Sequence, residues 1–107
     1  MLSDRRLIWS PRARADLDDI WRYYAGEASE TIANQVYGEI AHAVQRLLRE
    51  TLPGRDRSAL RPGVRSILAP PYAIFFAFKK DEVRVVRILH QRRDLVALFK
   101  PRQRERS

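Results

Sequence analysis

The sequence lacks cysteine altogether and contains only two histidines, His42 and His90. The absence of cysteine excludes disulfides, thiolate metal sites and cysteine nucleophiles. The two histidines lie on different predicted elements, so we expect no metal ion and no other cofactor. The chain also has no Gly-rich phosphate-binding loop and no His-Glu-x-x-His pattern. None of the sharply defined catalytic motifs is therefore present.

Long apolar runs are also missing. No stretch approaches the roughly 20 apolar residues that cross a bilayer, and residues 1–9 lack the apolar core of a secretory signal. We therefore expect a soluble, cytoplasmic protein that does not associate with membranes. Its length fits one domain, which we assign to residues 1–99. The charged tail, 100–107, is expected to be disordered because its side chains offer too little burial to offset the entropy of ordering.

Lysine is scarce as well, with 3 lysines against 18 arginines and a formal net charge of +8. Arginine makes planar, bidentate contacts with carboxylates and phosphates. The charge therefore fits an acidic protein partner or nucleic acid. A GC-rich genome would equally explain the ratio of arginine to lysine, although it would not explain the net charge.

The apolar spacing predicts one strand, two helices and three further strands, in that order. Ser10 and Pro11 are typical of a helix cap and a first helical position, and Ser29 is a second cap. Residues 55–63 are predicted to form a polar, basic loop. The predicted strands are 5–9, 64–69, 72–78 and 83–90, and the predicted helices lie between Ser10 and Gly26 and between Ser29 and Gly54.

This order, β-α-α-β-β-β, predicts an α+β fold. The last three strands form an antiparallel meander, and the helical hairpin packs on one of its faces. The opposite face is expected to stay partly open unless the apolar segment 95–99 or a partner covers it. Trp9 and Trp21 are expected in the core, and His42 is expected to be exposed.

Four segments carry a resemblance to a known family. The chain opens with Ile-Trp-Ser-Pro-Arg-Ala at 8–13, followed by Asp-Leu at 16–17 and Ile-Trp-Arg-Tyr-Tyr at 20–24. Leu-Arg-Pro-Gly-Val-Arg stands at 60–65 and Tyr-Ala-Ile-Phe-Phe at 72–76. The most specific segment is Val-Val-Arg-Ile-Leu-His-Gln-Arg-Arg-Asp at 85–94. Over residues 8–99 the chain resembles the ParE-type toxins of the ParE/RelE toxin–antitoxin superfamily.

The resemblance implies the RelE/ParE-like fold and a toxin that an antitoxin neutralises. ParE-like members poison DNA gyrase, whereas RelE-like members cut mRNA on the ribosome, and the shared fold does not separate them. Our first interpretation is a non-catalytic gyrase-binding toxin with an acidic antitoxin, expected to be of the ribbon-helix-helix type. The alternatives are a ribosome-dependent mRNA interferase and a non-toxic basic binding module. Sequence-specific binding of nucleic acid is not expected.

The residues favour the ParE branch. Phe99 stands where the nucleases carry a tyrosine that contacts RNA, and Ala73 follows Tyr72 where an arginine is common. His90 is the one candidate for a general base, and its alternative is a strand end that hydrogen-bonds to backbone. Arg87 would be a solvated edge residue or would pair with an acidic group such as Asp94. We assign no catalytic residue.

The resemblance is densest at the end of the last strand, so we predict the target-binding surface there. The antitoxin-binding surface stays unassigned in detail. We expect it to combine exposed apolar and basic surface, because the strand 72–78 is almost wholly apolar and the net charge is +8. The predicted target-binding residues are Arg65, Arg87, His90, Arg92, Arg93 and Asp94.

Overall fold

The computed structural model describes residues 5–92, which form two helices and one five-stranded sheet. The predicted α+β class and the predicted order of the main elements are confirmed. The segments 95–99 and 100–107 lie outside the described residues. The elements are β1 (Arg6–Trp9), α1 (Pro11–Glu27), α2 (Glu30–Arg49), β2 (Arg55–Asp56), β3 (Val64–Ala69), β4 (Tyr72–Lys79) and β5 (Glu82–His90).

Both helices begin at a capping serine. The Oγ of Ser10 accepts a hydrogen bond from the backbone N–H of Ala13 at 3.0 Å, and the Oγ of Ser29 accepts from that of Ile32 at 3.1 Å. Each cap satisfies a backbone donor that the helix itself leaves unpaired. Because the connection between the helices is so short, α1 and α2 pack as the predicted antiparallel hairpin.

Two details of the helices differ from the prediction. We expected Gly26 to follow the last helical residue, but α1 continues to Glu27. Trp21 is half-buried rather than in the core, because its indole N–H donates to the side-chain oxygen of Asn34 at 2.9 Å where the two helices meet. Trp9 is half-buried and packs against the core. His42 is exposed, as predicted.

The sheet has the strand order β1-β5-β4-β3-β2. β3, β4 and β5 form the predicted antiparallel meander. β1 lies beside β5 and runs parallel to it, so the sheet is mixed. This pairing was not visible in the sequence, because a parallel neighbour depends on the path of the two-helix crossover rather than on a local turn.

We had predicted that the whole segment 55–63 is a loop, but it begins with the short strand β2. β2 pairs antiparallel with β3. Gly54, at φ +76°, makes this pairing possible, since a Cβ on it would lie 2.0 Å from the carbonyl oxygen of Ser66. The guanidinium of Arg65 donates to the carbonyls of Pro53 and Gly54, both at 3.0 Å. Two residues are too few to show strand alternation, which is why the sequence pattern missed them.

The main core lies between the helices and the sheet, where α1 packs over β5 and α2 over β3. A smaller apolar cluster occupies the opposite face of the sheet. We expected that face to be partly open: the side chains at its centre are at most 4% exposed, whereas Leu68, on the same face, is 52% exposed. Leu60 packs against this cluster, and the guanidinium carbon of Arg57 lies 5.4 Å from the ring centre of Phe75. The cluster consists of Val64, Ala73, Phe75 and Leu89.

Candidate functional site

The second half of β5 is bordered by the start of α1 instead of another strand. β1 pairs with β5 only as far as Val85. The backbone N–H of Ser10 donates to the carbonyl of Val85 at 3.0 Å, and the Ser10 hydroxyl donates to the carbonyl of Val86 at 2.9 Å. The carboxylate of Asp16 accepts the N–H of Ile88 at 2.9 Å. Helix residues thus satisfy the backbone groups that a neighbouring strand would otherwise pair.

Arg87 is held by the same carboxylate. β5 has a bulge at Val86, which has no partner in β4, and a bulge re-aims the side chains beside it. Nε and Nη2 of Arg87 donate to the two oxygens of Asp16 at 2.8 and 3.0 Å. The side chains are only 12% and 15% exposed. Arg87 is therefore neither solvated nor paired with Asp94, and the ion pair leaves no net charge at this position.

A groove of about 510 Å³ lies between α1 and the ends of β4 and β5. Aromatic rings dominate it: the Tyr72 ring meets His90 edge-on at 5.6 Å between centroids, and the hydroxyl oxygens of Tyr72 and Tyr24 are 3.4 Å apart. Burial, followed by the contact with Tyr24, raises the pKa of Tyr72. The groove is lined by Asp16, Asp19, Ile20, Tyr23, Tyr24, Tyr72, Arg87, Ile88, Leu89 and His90.

The ring of His90 is engaged on one side. Its Nδ1 accepts the backbone N–H of Arg92 at 3.1 Å. With Nδ1 occupied as an acceptor, the neutral ring carries its hydrogen on Nε2. No lone pair of the neutral ring is then free to remove a proton, so this geometry does not place His90 as a general base. The arrangement corresponds to the alternative in which His90 ends the strand and bonds to backbone.

Arg65 lies apart from the other predicted site residues. Its register partner is Phe76, which in turn pairs with Val85, five residues before His90. At about 3.3 Å per residue, that places Arg65 on the order of 15 Å from His90 along the strands. Its guanidinium is also occupied by the carbonyls that anchor β2. Of the predicted residues, the structure therefore brings Arg87 and His90 together, but not Arg65.

The remaining predicted residues follow the last strand. Arg92 is exposed, in the turn directly after His90. Arg93 and Asp94 lie outside the described residues. The described part of the predicted surface is therefore an aromatic groove without excess positive charge, with one exposed arginine, Arg92, at its end.

Sequence reasoning missed Asp16 as the partner of Arg87, because 71 positions separate the two residues. One signal was available. Asp16 lies three residues after Ala13 and four before Ile20, both buried in α1, so it shares their face of the helix, and a carboxylate on a buried face is generally paired. The pattern showed that Asp16 needs a partner, but it did not show which residue that partner is.

The surface of the helices exposes apolar side chains. Tyr23, Tyr37 and Ile32 are 60%, 46% and 37% exposed. A groove of about 470 Å³ lies there, lined by Asp18, Trp21, Arg22, Asn34 and Tyr37. In contrast, the central strand that we expected to offer exposed apolar surface is covered, since residues 72–76 are at most 8% exposed. The exposed aromatic side chains among the large hydrophobic residues therefore lie on the helices, while Leu52 and Leu68, 63% and 52% exposed, lie outside them.

Within residues 5–92, no group of three or more His, Asp or Glu side chains comes together in a way that could hold a metal ion. No helix in that range is both long enough and apolar enough to cross a membrane.

Comparison with known proteins agrees with the fold and with the family resemblance. The family model described as the ParE toxin of the type II toxin–antitoxin system parDE matches residues 7–95. The chain is 33% identical to Toxin ParE1 of Mycobacterium tuberculosis, over 84% of this chain and 93% of that protein. It is 30% identical to Toxin ParE3 of Caulobacter vibrioides, over 86% of this chain and 92% of that protein.

A solved structure described as the chromosomal ParDE toxin–antitoxin system from P. aeruginosa superposes with a TM-score of 0.72. It shares 28% sequence identity and covers 82% of this chain and 97% of the compared one. Sequence and fold thus agree over most of the length, and the chain belongs to the ParE toxin family of type II toxin–antitoxin systems.

Proposed function

We propose that this toxin acts in the cytoplasm by binding and inhibiting DNA gyrase, without catalysing a reaction, and that a cognate acidic antitoxin neutralises it. Family membership supports the toxin role. The observation that carries the non-catalytic part is the state of the groove at the end of β5. There the charge of Arg87 is neutralised by Asp16, and Nδ1 of His90 is occupied by backbone.

A ribosome-dependent nuclease would use this groove differently. Cleavage of RNA needs cations that face the phosphate and a group that takes the proton of the 2′-hydroxyl. In the described part of the groove, the one arginine is already paired and the one histidine has no free acceptor. The geometry therefore supports recognition of a protein surface, in which a rigid aromatic groove is an ordinary contact element.

The direct test is supercoiling of relaxed plasmid by purified gyrase, with detection of trapped cleavage complexes. The full-length toxin should inhibit supercoiling. The double charge reversal Arg92→Glu with Arg93→Glu should abolish inhibition while the protein stays folded by circular dichroism. The matched control is Arg12→Glu with Arg14→Glu, which reverses two exposed arginines on α1 and should keep inhibition. If the wild type leaves gyrase unaffected, the proposed target is wrong.

A second variant separates binding from RNA cleavage. Glutamine can accept the Arg92 N–H as His90 does, so His90→Gln should retain most of the growth arrest on induction. A nuclease that lost its general base would drop by about a hundredfold or more. mRNA cleavage on translating ribosomes is measured in parallel. A folded but harmless His90→Gln protein, together with cleavage of ribosome-bound mRNA by the wild type alone, would establish the nuclease instead.

For the antitoxin, we propose contact with the exposed apolar side chains of the helices, including Tyr23 and Tyr37. Aromatic residues are frequent anchors in protein interfaces. Tyr37→Ala should weaken binding of the antitoxin by about tenfold or more, a loss above 1 kcal/mol. Leu52→Ala, which removes another exposed apolar side chain beyond the end of α2, is the control and should bind normally. If the wild type, Tyr37→Ala and Leu52→Ala bind the antitoxin with equal affinity, the proposed contact through the helices is wrong.

A further inference from the structure

A cluster of positive charge lies on β2 and on the connection that leads from it into β3. Residues 55–65, named here the arginine hairpin, contain four arginines and a single carboxylate. That carboxylate, Asp56, is exposed and accepts hydrogen bonds from the backbone N–H and the hydroxyl of Ser58. These bonds lower the pKa of Asp56, so it stays ionised.

The arginine hairpin is held firmly, although β2 is short. Gly54 permits an approach to Ser66 that any Cβ would block. Arg65 donates two hydrogen bonds to the chain just before β2. The N–H of Arg57 donates to the carbonyl of Val64 at 2.8 Å and extends the ladder by one residue. Rigid presentation lowers the entropy cost of binding.

Arg55 and Arg57 share one face of the arginine hairpin, because strand side chains alternate. That face is the one that bears Phe75, since Arg57 lies over the Phe75 ring. At about 3.3 Å per residue, the two arginines are about 7 Å apart along the strand. They form two regularly spaced positive charges on the side of the sheet that faces away from the helices.

Arg57 carries a charge that its surroundings disfavour. Its polar side-chain contact is the hydroxyl of Ser66, 3.4 Å from Nη1, and within residues 5–92 it forms no ion pair with a carboxylate. Burial, followed by the nearby charge of Arg55, lowers the pKa of Arg57. An anion bound beside Arg57 would supply the counter-charge that residues 5–92 do not.

The surroundings of these arginines favour phosphate over an acidic peptide. Peptide recognition generally adds apolar pockets or anchors to the charge. The apolar side chains directly beneath the arginines, Val64 and Phe75, are 2% and 0% exposed, so no such pocket lies beneath them. Contacts to the phosphates of a nucleic-acid backbone need only positioned donors, and guanidinium groups suit them.

We propose that the arginine hairpin is a binding site for the phosphodiester backbone of nucleic acid, with Arg55 and Arg57 each contacting a phosphate. The buried ring beneath the arginines offers no surface for stacking of a base, and contacts to phosphates carry no sequence information. Binding is therefore independent of sequence and strongly dependent on salt. The site lies away from the groove at the end of β5, and its occupation does not depend on gyrase as the target.

The test is fluorescence anisotropy of full-length toxin with a labelled 20-base-pair DNA duplex, over 50–200 mM salt. Each phosphate contact contributes about 0.9 to the slope of log affinity against log salt concentration. Arg55→Gln with Arg57→Gln should lower that slope by about 1.8. Between 50 and 200 mM salt, the wild type then loses about tenfold more affinity than the variant.

Two controls isolate the site. Arg12→Gln with Arg14→Gln removes the same charge from exposed positions of α1 and should leave the slope unchanged. Arg57→Lys keeps the charge and should retain the wild-type slope, which separates the phosphate contact from a packing defect. If the α1 control lowers the salt slope by the same amount, the effect depends only on net charge, and the proposed site is wrong.

Further arms identify the polyanion. Single-stranded RNA of 20 nucleotides should show a fall of about 1.4 for the same double variant, because each contact contributes about 0.7 on single strands. A lower salt slope of the double variant with DNA, with RNA or with both supports the site and identifies which nucleic acid it binds. No detectable wild-type binding to either at 50 mM salt overturns it. So does a variant that loses affinity for polyglutamate while binding both nucleic acids normally. Gyrase is absent from all arms, so this result is independent of the supercoiling assay.

Discussion

The helices and the sheet side of this toxin differ both in charge and in what they expose. α1 and α2 together carry five arginines and six carboxylates, whereas residues 50–92 carry nine lysines and arginines and four carboxylates. Exposed aromatic side chains lie on the helices, and the excess of positive over negative side chains lies on the sheet side. The net charge of +8 is therefore a poor guide to what any one partner meets.

This contrast suggests two kinds of contact on one small domain. A protein partner would find apolar anchors on a nearly neutral helical surface, where burial supplies the affinity. A polyanion would find positioned charges over a sheet face whose central apolar side chains are covered. Variants that remove contacts between the helices and the sheet test this difference. We expect the largest loss of stability when Asp16 is substituted.

Asp16→Ala should destabilise the protein by about 3 kcal/mol or more. The substitution leaves Arg87 without its counter-charge and the N–H of Ile88 without its acceptor, and both are largely buried. Loss of one partner of a buried ion pair costs about 3–5 kcal/mol. The measurement is the free energy of unfolding from urea titration.

Asp19→Ala is the matched control, on the same helix. Asp19 contacts Arg22 at 3.4 Å, and both side chains are more than 70% exposed, so its removal should leave the free energy of unfolding nearly unchanged. If the two variants unfold at the same urea concentration, the link between α1 and β5 is energetically unimportant.

Glycine substitutions should affect the two layers with opposite sign. Gly54→Ala should destabilise by about 2–3 kcal/mol, because the new Cβ would meet the Ser66 carbonyl at 2.0 Å and φ is +76°. Gly38→Ala, in the middle of α2 with open space around it, should stabilise by about 0.5–1 kcal/mol. Thermal unfolding of both variants checks the signs. A neutral Gly54→Ala would show that β2 moves without cost.

Local patterns predicted the elements well because their causes are local. The caps at Ser10 and Ser29, the apolar stripes of the helices and the alternation of the meander each act over a few residues. The order of the main elements followed from these signals. The predicted end of α1 at Gly26 failed, because a glycine is tolerated near a helix end and the backbone hydrogen bonds continue past it, with the N–H of Ala28 donating to the carbonyl of Tyr24.

The candidate site was predicted only in part, because its geometry depends on pairs that are distant in sequence. The resemblance placed Arg87 and His90 at the same end of the sheet, and the structure does bring them into one groove. The choice of Asp16 as partner depends on the bulge at Val86, which no local pattern shows. Arg65 was grouped with them by charge, whereas its hydrogen bonds anchor β2.

The two capping serines differ in whether they also contact the sheet, and we expect smaller losses of stability when they are substituted. Ser29 caps α2 alone, but Ser10 also donates to the carbonyl of Val86 and so joins α1 to the sheet. Removal of a serine cap costs about 1 kcal/mol, and the additional bond is worth about 1 kcal/mol. Ser10→Ala should therefore destabilise by about 2 kcal/mol and Ser29→Ala by about 1 kcal/mol, as urea titration can test. Equal losses would mean that the bond to Val86 adds nothing.

We expect the smallest effect on stability at the contact between the hydroxyl groups of Tyr72 on β4 and Tyr24 on α1. The pKa of Tyr72 is raised by burial and by Tyr24, so the unfolded chain loses that proton first, near the ordinary tyrosine pKa of about 10. The associated stability is complete below pH 10 and declines above it, since the unfolded state then binds fewer protons. Tyr72→Phe cannot ionise and should show a shallower loss of melting temperature between pH 9 and 11 than the wild type. Tyr37→Phe, at an exposed tyrosine, should follow the wild-type profile. If Tyr72→Phe and the wild type lose stability in parallel over this range, Tyr72 is not the group that couples alkaline pH to the contact between α1 and β4.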